Sequence, residues 1–356
     1  MPERNVVSVI MTAHNAQEYI FEAIDSILRQ TLTNFELFVI DDGSNDSTME
    51  IINEFVLRDS RVIPIFNEKN VGQPRSRNKA IELAKGEFVA IMDADDISLP
   101  NRLETQAAYL QAHPTVGLTG SLAMEIDSKG HSRGRIRGDI RCEAEMLWAE
   151  ISCVSSSVIH PTVMLRKSIV DKHQLRYNLK VPYAQDKEFW CRLLLLAEGT
   201  VLPRCLLRYR VHEKSISNSK TAKQREYAIG AVLQMVRSFL GDESISTETI
   251  EQMISIGPSF MPDALPAWEL RIRILEGMEK SGRFDHDDVL SIRALEVIRF
   301  RRWGNTEAVR QAMDSGLSKR MRAGVTLWVL VKVMCKHFLR KYQLLHCSFR
   351  FCCPHR

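Results

Sequence analysis

Several things this chain lacks narrow what it can be. None of its eight cysteines forms a Cys-x-x-Cys pair, and none has a histidine partner at zinc-ligand spacing. That excludes the common structural zinc modules and predicts free thiols in a reducing compartment. The longest apolar stretch, Ala323 to Cys335, is interrupted by Lys332 and falls short of the roughly 20 residues a spanning helix needs. A strand-like pattern starts at Val6, where a signal peptide would place a charged and then an apolar segment. The first strand is not followed by Gly-x-Gly-x-x-Gly, which argues against a NAD-dependent dehydrogenase. "TAHNAQEY" (12–19) is not a glycine-rich phosphate loop with a lysine, which argues against a nucleotidyltransferase. No internal repeat or low-complexity segment stands out. Acidic residues are missing altogether after 318: residues 319–356 carry nine Lys/Arg, leaving −5 for residues 1–318 out of a total of +4. The expected location is the cytoplasm, with contact at the inner face of the cytoplasmic membrane as an option.

With 356 residues and 45% hydrophobic content, the chain can bury a large α/β core and a smaller unit besides. The first hundred residues alternate. "VVSVIMT" (6–12), "FELFVID" (35–41), "RVIPIFN" (61–67) and "EFVAIMD" (87–93) are short apolar runs suited to buried strands. Between them, 17–30, 45–59 and 73–86 repeat apolar residues at helical spacing. Such alternation demands a parallel sheet covered by helices on both faces. A helix over 100–112, strands near 115–126 and 161–166, a helix over 184–197 and a strand near 200–211 extend it with mixed-direction pairing. From about 222 only helices are expected: 222–240, 246–255, 266–280, 286–301, 304–315 and 318–345. A domain boundary falls near 218, in "SISNSKTAK" (215–223), giving a catalytic unit over 1–218 and a helical region over 219–356.

The unusual polar residues stand at the carboxyl ends of the strands, where open α/β sheets bind ligands. Strand one runs into Thr12-Ala13-His14-Asn15, strand two into Asp41-Asp42-Gly43-Ser44, and the fourth into Asp93-Ala94-Asp95-Asp96. The third leads to "NEKNVGQPRSRN" (67–78). Either acidic cluster alone reads as a turn followed by an N-cap. Together on adjacent strands, five carboxylates repel one another unless a cation neutralises them. Mg²⁺ or Mn²⁺, held by one or two carboxylates and completed by water and substrate phosphates, is the economical solution.

These segments, with "HPTVMLRK" (160–167) and "QDKEFWCRL" (185–193), resemble the inverting family 2 glycosyltransferases of the GT-A fold over roughly residues 5–217. The resemblance implies a mostly parallel, Rossmann-like nucleotide-sugar-binding sheet and a helical carboxyl-terminal region. It also implies a nucleotide-diphosphate donor (a UDP-sugar first), a saccharide or lipid-linked acceptor, and a place in cell-envelope polysaccharide or lipopolysaccharide synthesis. Thr12 lies where the family's nucleotide pocket begins, and Asp42 matches the residue that accepts a hydrogen bond from uracil, with Asp41 supporting it or orienting the turn. Asp93 and Asp95 match the Asp-x-Asp signature, the first near the ribose and the second on the metal; Asp96 is weaker and could cap the next helix. Arg77 and Asn78 match an Arg-Asn pair, Arg77 contacting the nucleotide or pinning the acidic rim. Asp186 fits the base. Its neighbour Gln185 departs from the usual Glu, which puts acceptor recognition or tuning of the base in doubt and is the only hint of the alternative, a non-catalytic sugar-nucleotide scaffold. His212 is a candidate for the metal or diphosphate. His160, Trp190 and Arg192 are weaker candidates for the acceptor side, with Trp190 more often a core residue than a sugar-stacking platform.

The basic run "TLWVLVKVMCKHFLRKYQLL" (326–345) mixes apolar and cationic residues as helices lying on anionic membranes do. Peripheral membrane contact through 319–356 is therefore expected, and nucleic acid is not, since no recognition motif accompanies the charge.

Overall fold

The computed structural model describes residues 6–139, 141–153, 156–212, 221–255 and 265–302. Nine strands form one sheet: β1 (Val7–Ala13), β2 (Phe35–Asp41), β3 (Val62–Phe66), β4 (Phe88–Asp93), β5 (Ile97–Ser98), β6 (Val116–Ile126), β7 (Ser132–Arg137), β8 (Met164–Arg166) and β9 (Glu198–Arg210). Their order is β3-β2-β1-β4-β8-β6-β9-β5, with β7 attached to β6. The strands β3, β2, β1 and β4 run parallel. Beyond them β8 is antiparallel to both β4 and β6, and β6 runs parallel to β9. The chain order reverses around β1, which lies between β2 and β4, so a switch point falls at its carboxyl end.

Burial on both faces explains the unbroken apolar runs: all seven residues of β1 and all seven of β2 are buried. Alternation along β1 divides them, Val7, Val9 and Met11 facing one core and Ile10 the other. The first face is covered by α1 (Ile20–Leu28), α2 (Thr48–Arg58) and α4 (Arg102–Ala112). In α1 the buried residues are Ile20, Ala23, Ile24 and Ile27, the one-sided stripe that the sequence spacing predicts. The second face is covered by α3 (Gln73–Leu83), α5 (Glu143–Ser152) and α7 (Gln185–Leu194), with the short α6 (Lys167–Lys172) after β8. Even the polar side chains inside the sheet are matched. Ser8 donates to Glu36 at 2.6 Å and accepts from the Gly86 N–H at 2.8 Å.

The helical region begins with α8 (Thr221–Leu240), α9 (Thr247–Ser255), α10 (Leu265–Lys280) and α11 (His286–Arg302), close to the expected bounds. Its described residues form no separate core. Val232, Ile250, Leu275 and Ile292 belong to the same apolar cluster as Leu147 of α5 and Phe189 of α7. Arg283 reinforces the joint, donating from Nε to Glu143 at 2.5 Å and from Nη2 to the Ala197 carbonyl at 2.8 Å. The expected boundary near 218 and the expected helices at 304–315 and 318–345 lie outside the described residues. Four described cysteines, Cys142, Cys153, Cys191 and Cys205, are not disulfide-bonded. Among the described residues no helix is long and apolar enough to cross a membrane.

Candidate active site

The parallel registers set Thr12, Ile40 and Asp93 side by side, so the tips of β1, β2 and β4 open at one level. Thr12 is 5% exposed and its Oγ1 has no hydrogen-bond partner among the described residues. An orphaned hydroxyl in that position costs free energy unless a ligand engages it. Asp41 accepts the Ser44 N–H at 3.2 Å and the Ser44 hydroxyl as well, so it orients the turn. Asp42 is 2% exposed, and its carboxylate already takes four donors: Asn67 Nδ2, the N–H groups of Val71 and Gly72, and Ser76 Oγ, at 2.9 to 3.1 Å. The side chain expected to meet a nucleobase thus also anchors the 67–76 loop. Gly43 makes that closeness feasible. Its φ is +70°, and a Cβ there would meet the Lys69 backbone at 2.5 Å.

Asp93, Asp95 and Asp96 bring carboxylate oxygens within 4.8 Å of one another. Asp93 keeps 29% of its side chain exposed and pairs with the buried Arg77 at 3.3 Å. Its pKa is pushed up to about 6 by desolvation among the strand tips, with Asp95 and Asp186 adding repulsion and Arg77 opposing. Asp95 Oδ2 lies 2.9 Å from His212 Nε2, and the His212 ring packs on Tyr19 with centroids 5.1 Å apart. Asp96 is 1% exposed and does not cap a helix; its Oδ1 accepts the Arg210 N–H at 2.8 Å. Its Oδ2 has no partner among the described residues, and burial, then Asp95 and Asp93, hold its pKa well above the carboxylate range. Hard oxygen donors beside one imidazole suit a divalent cation.

Two arginines that sequence reasoning passed over hold this rim. Arg210 is 3% exposed and donates to the Asp95 carbonyl at 2.7 Å, to the Asp127 and Ser128 carbonyls at 3.2 and 3.1 Å, and to Glu22 at 2.6 Å. Arg102, wholly buried beneath the acidic tips, donates to the Ile91 carbonyl at 2.7 Å. Burial lowers its pKa to about 10, against the pull of Asp96 and Asp93.

Opposite the strand tips, α7 starts at Gln185 after Ala184, whose φ is +55°. Asp186 therefore sits in a first helical turn, where the helix dipole favours a negative charge. Ser156 donates to its Oδ2 at 3.1 Å, and its charge is felt at both Asp93 and Tyr177. Gln185 reaches across to Gln73, at the start of α3, at 3.3 Å. Tyr177, another residue without a sequence signal, links the two sides. Asn78 clasps its backbone, donating to the carbonyl and accepting from the N–H at 2.8 Å each. The Arg77 guanidinium lies 5.6 Å over its ring, and its hydroxyl is 3.1 Å from His160 Nε2. His160 is 11% exposed and lies 3.9 Å from Asp93; burial, then Arg77, lowers its pKa well below the usual histidine value.

Two acceptor-side expectations need correcting. Trp190 is 0% exposed and cannot stack on a sugar; its ring lies 5.9 Å from that of His160, as a floor under it. Arg192 is committed elsewhere, donating to Glu188 at 2.8 and 2.7 Å and to the Arg176 carbonyl at 2.6 Å. Helical phase turns Arg192, six residues past Asp186, away from its face; Trp190, four residues on, shares that face and is covered.

A curled, mostly parallel sheet with an acidic triad at its switch point and a lone carboxylate facing it defines a nucleotide-sugar transferase of the GT-A type. Comparison with known proteins agrees. Residues 8–174 match the model of glycosyl transferase family 2. The chain is 34% identical over 229 residues to an uncharacterised glycosyltransferase of Methanocaldococcus jannaschii, covering 64% of this chain and 78% of that protein. It is 28% identical over 218 residues to the UDP-Glc:alpha-D-GlcNAc-diphosphoundecaprenol beta-1,3-glucosyltransferase WfaP of Escherichia coli, covering 60% of this chain and 81% of WfaP. Among solved structures, S. aureus TarS 1-349 in complex with UDP-GlcNAc superposes with a TM-score of 0.55 at 18% identity, over 90% of this chain and 93% of that one. The protein belongs to glycosyl transferase family 2.

Proposed function

We propose that the protein transfers a sugar from a nucleoside-diphosphate donor, first of all a UDP-sugar, to a hydroxyl of a saccharide or lipid-linked acceptor with inversion at the anomeric carbon. The observation that carries this is the placement of Asp186 on a different element from the strand-tip carboxylates yet near enough for its charge to be felt at Asp93, with Ser156 engaging one of its oxygens among the described residues. Inversion needs that separation: the departing diphosphate and the attacking hydroxyl must lie on opposite faces of the sugar.

Thr12 Oγ1, Asp42 and Arg77 would line the nucleotide side. The Thr12 hydroxyl is the free group among them, and Asp42 would share a carboxylate already ordered by its loop. Asp93 would meet the ribose while Arg77 holds it. Asp95, with His212 beside it, would hold a Mn²⁺ or Mg²⁺ ion, and the orphaned Asp96 oxygen fits a site arranged for positive charge. When bound, such a cation supplies Lewis-acid neutralisation of the charge that builds on a departing diphosphate. Asp186 accepts the proton of the acceptor hydroxyl. His160 and Tyr177 orient Arg77 and Asp93 from the acceptor side.

Similarity to WfaP supports a saccharide on a lipid diphosphate as acceptor class, and with it cell-envelope polysaccharide or lipopolysaccharide assembly as the setting. The unbalanced +9 of residues 319–356, outside the described residues, supports peripheral contact with the cytoplasmic face of an anionic membrane. The deciding experiment is a donor screen by calorimetry with Mn²⁺, followed by transfer assays with Asp186→Asn. Binding of UDP-sugars with lost turnover in the variant is expected; parental turnover by Asp186→Asn would reject the base assignment.

A further inference from the structure

We propose that the buried Glu150–Lys187 ion pair and Ser156 form a positioning device for Asp186, an assignment that rests on the reading of Asp186 as the base. Lys187 follows Asp186 on α7 but points into the core. Its side chain is 1% exposed, that of Glu150 is 0% exposed, and Nζ lies 2.5 Å from Oε2. Nζ also donates to the Glu150 carbonyl at 2.6 Å. Burial alone would lower the lysine's pKa; Glu150 beside it outweighs burial and raises the value. Taking two charges out of water is commonly no more stabilising than two apolar side chains of similar volume. Stability by itself therefore does not account for the pair.

The second carboxylate oxygen of Glu150 does. Oε1 accepts the Ser157 N–H at 2.6 Å, and the preceding residue, Ser156, donates its hydroxyl to Asp186 Oδ2 at 3.1 Å. The contacts close on themselves: Asp186 is bonded to Lys187, Lys187 pairs with Glu150, Glu150 holds Ser157, and Ser156 returns to Asp186. Each link is short and directional, so the carboxylate is fixed from its backbone and from its outer oxygen at once. Oδ2 is occupied, and Oδ1 has no protein partner among the described residues, which leaves that oxygen to take the acceptor proton. Pre-orientation of this kind is what general-base chemistry demands, since small misplacements of a base are expensive in rate.

The test uses the full-length protein with Mn²⁺, reading UDP release from UDP-glucose and UDP-N-acetylglucosamine, donor KM, and UDP binding by calorimetry. Ser156→Ala should lower kcat about tenfold, the scale of one lost hydrogen bond, with donor KM and UDP affinity within about twofold; Ser156→Thr, which keeps the hydroxyl, should restore it. Because Glu150→Gln alone strands a buried ammonium and risks misfolding, the pair is replaced together as Glu150→Leu with Lys187→Met. That protein should melt like the parent yet show the same kcat deficit, with little further loss when Ser156→Ala is added. Parental kcat in Ser156→Ala, or in the stable apolar-pair variant, would overturn the positioning role while leaving the base reading intact. Parental turnover in Asp186→Asn would instead remove the base reading on which it stands.

Discussion

On one wall of the site the carboxylates stand at the tips of strands; on the other Asp186, the proposed base, stands at the start of a helix. The strand-tip wall is set by β1, β2 and β4, whose paired registers leave Thr12 and Asp93 no freedom relative to one another. The helix wall depends on side-chain bonds instead: Ser156 on Asp186, Glu150 on Ser157, Asn78 on the Tyr177 backbone. The first arrangement is rigid because a sheet is rigid, and it suits a ligand rich in charge. The second is assembled from loops, the part of a fold that families vary most, and it suits a partner that differs from one transferase to the next.

Substitutions can break this contrast. The largest effect is expected from Asp186→Asn: kcat falls by about 10²–10⁴-fold while UDP affinity, measured by calorimetry, stays within about twofold, because the change touches only the helix wall. Asp95→Ala should act on the other wall, costing turnover and also the metal-dependent part of UDP binding, about tenfold or more for a lost carboxylate contact. Calorimetry with and without EDTA reads it, and equal UDP affinity in both conditions for the parent would rule out a cation at the strand tips. Gly43→Ala should cost about 1–3 kcal/mol of stability in a denaturant melt, since the residue would need a positive φ and a shifted Lys69 backbone. Thr12→Val sharpens the comparison: losing an unpartnered buried hydroxyl should leave the melting temperature unchanged or raised and weaken UDP binding about fivefold. Smallest of all, Arg192→Ala should change stability by under ~0.5 kcal/mol and leave kcat and KM for donor and acceptor at parental values.

The same contrast decided what could be read from the sequence. Strand–helix alternation and the acidic tips are local patterns, so β1 to β4 and the acidic run at Asp93 and Asp95 were legible. The helices after 220 were legible for the same reason, from apolar spacing. The nearness of His212 to Asp95, 117 residues apart, was not a local signal. Strand β7 and helix α5 escaped: β7 is an exposed edge with arginines at alternate positions, and α5 is buried almost all round, so neither carries a clean period. Of the two readings open for Trp190 the core one holds, since an aromatic residue beside a base looks the same from sequence whether it faces inward or outward. Arg210, Tyr177 and Glu150 act through partners 114, 99 and 37 residues away, and nothing local announces such pairings. Only Arg210, two residues before His212, stood near a motif that could have drawn notice.

Arg210 also fixes when the site can exist. It is the last residue of β9, the last strand among the described residues, and it ties helix α1, the acidic tip of β4 and the β6–β7 turn together. A chain still being synthesised would have its first four strands long before this knot could be drawn. Competence to hold a sugar nucleotide should therefore arrive late and all at once, and fragments ending before 210 should fold their parallel strands around a rim left unlaced.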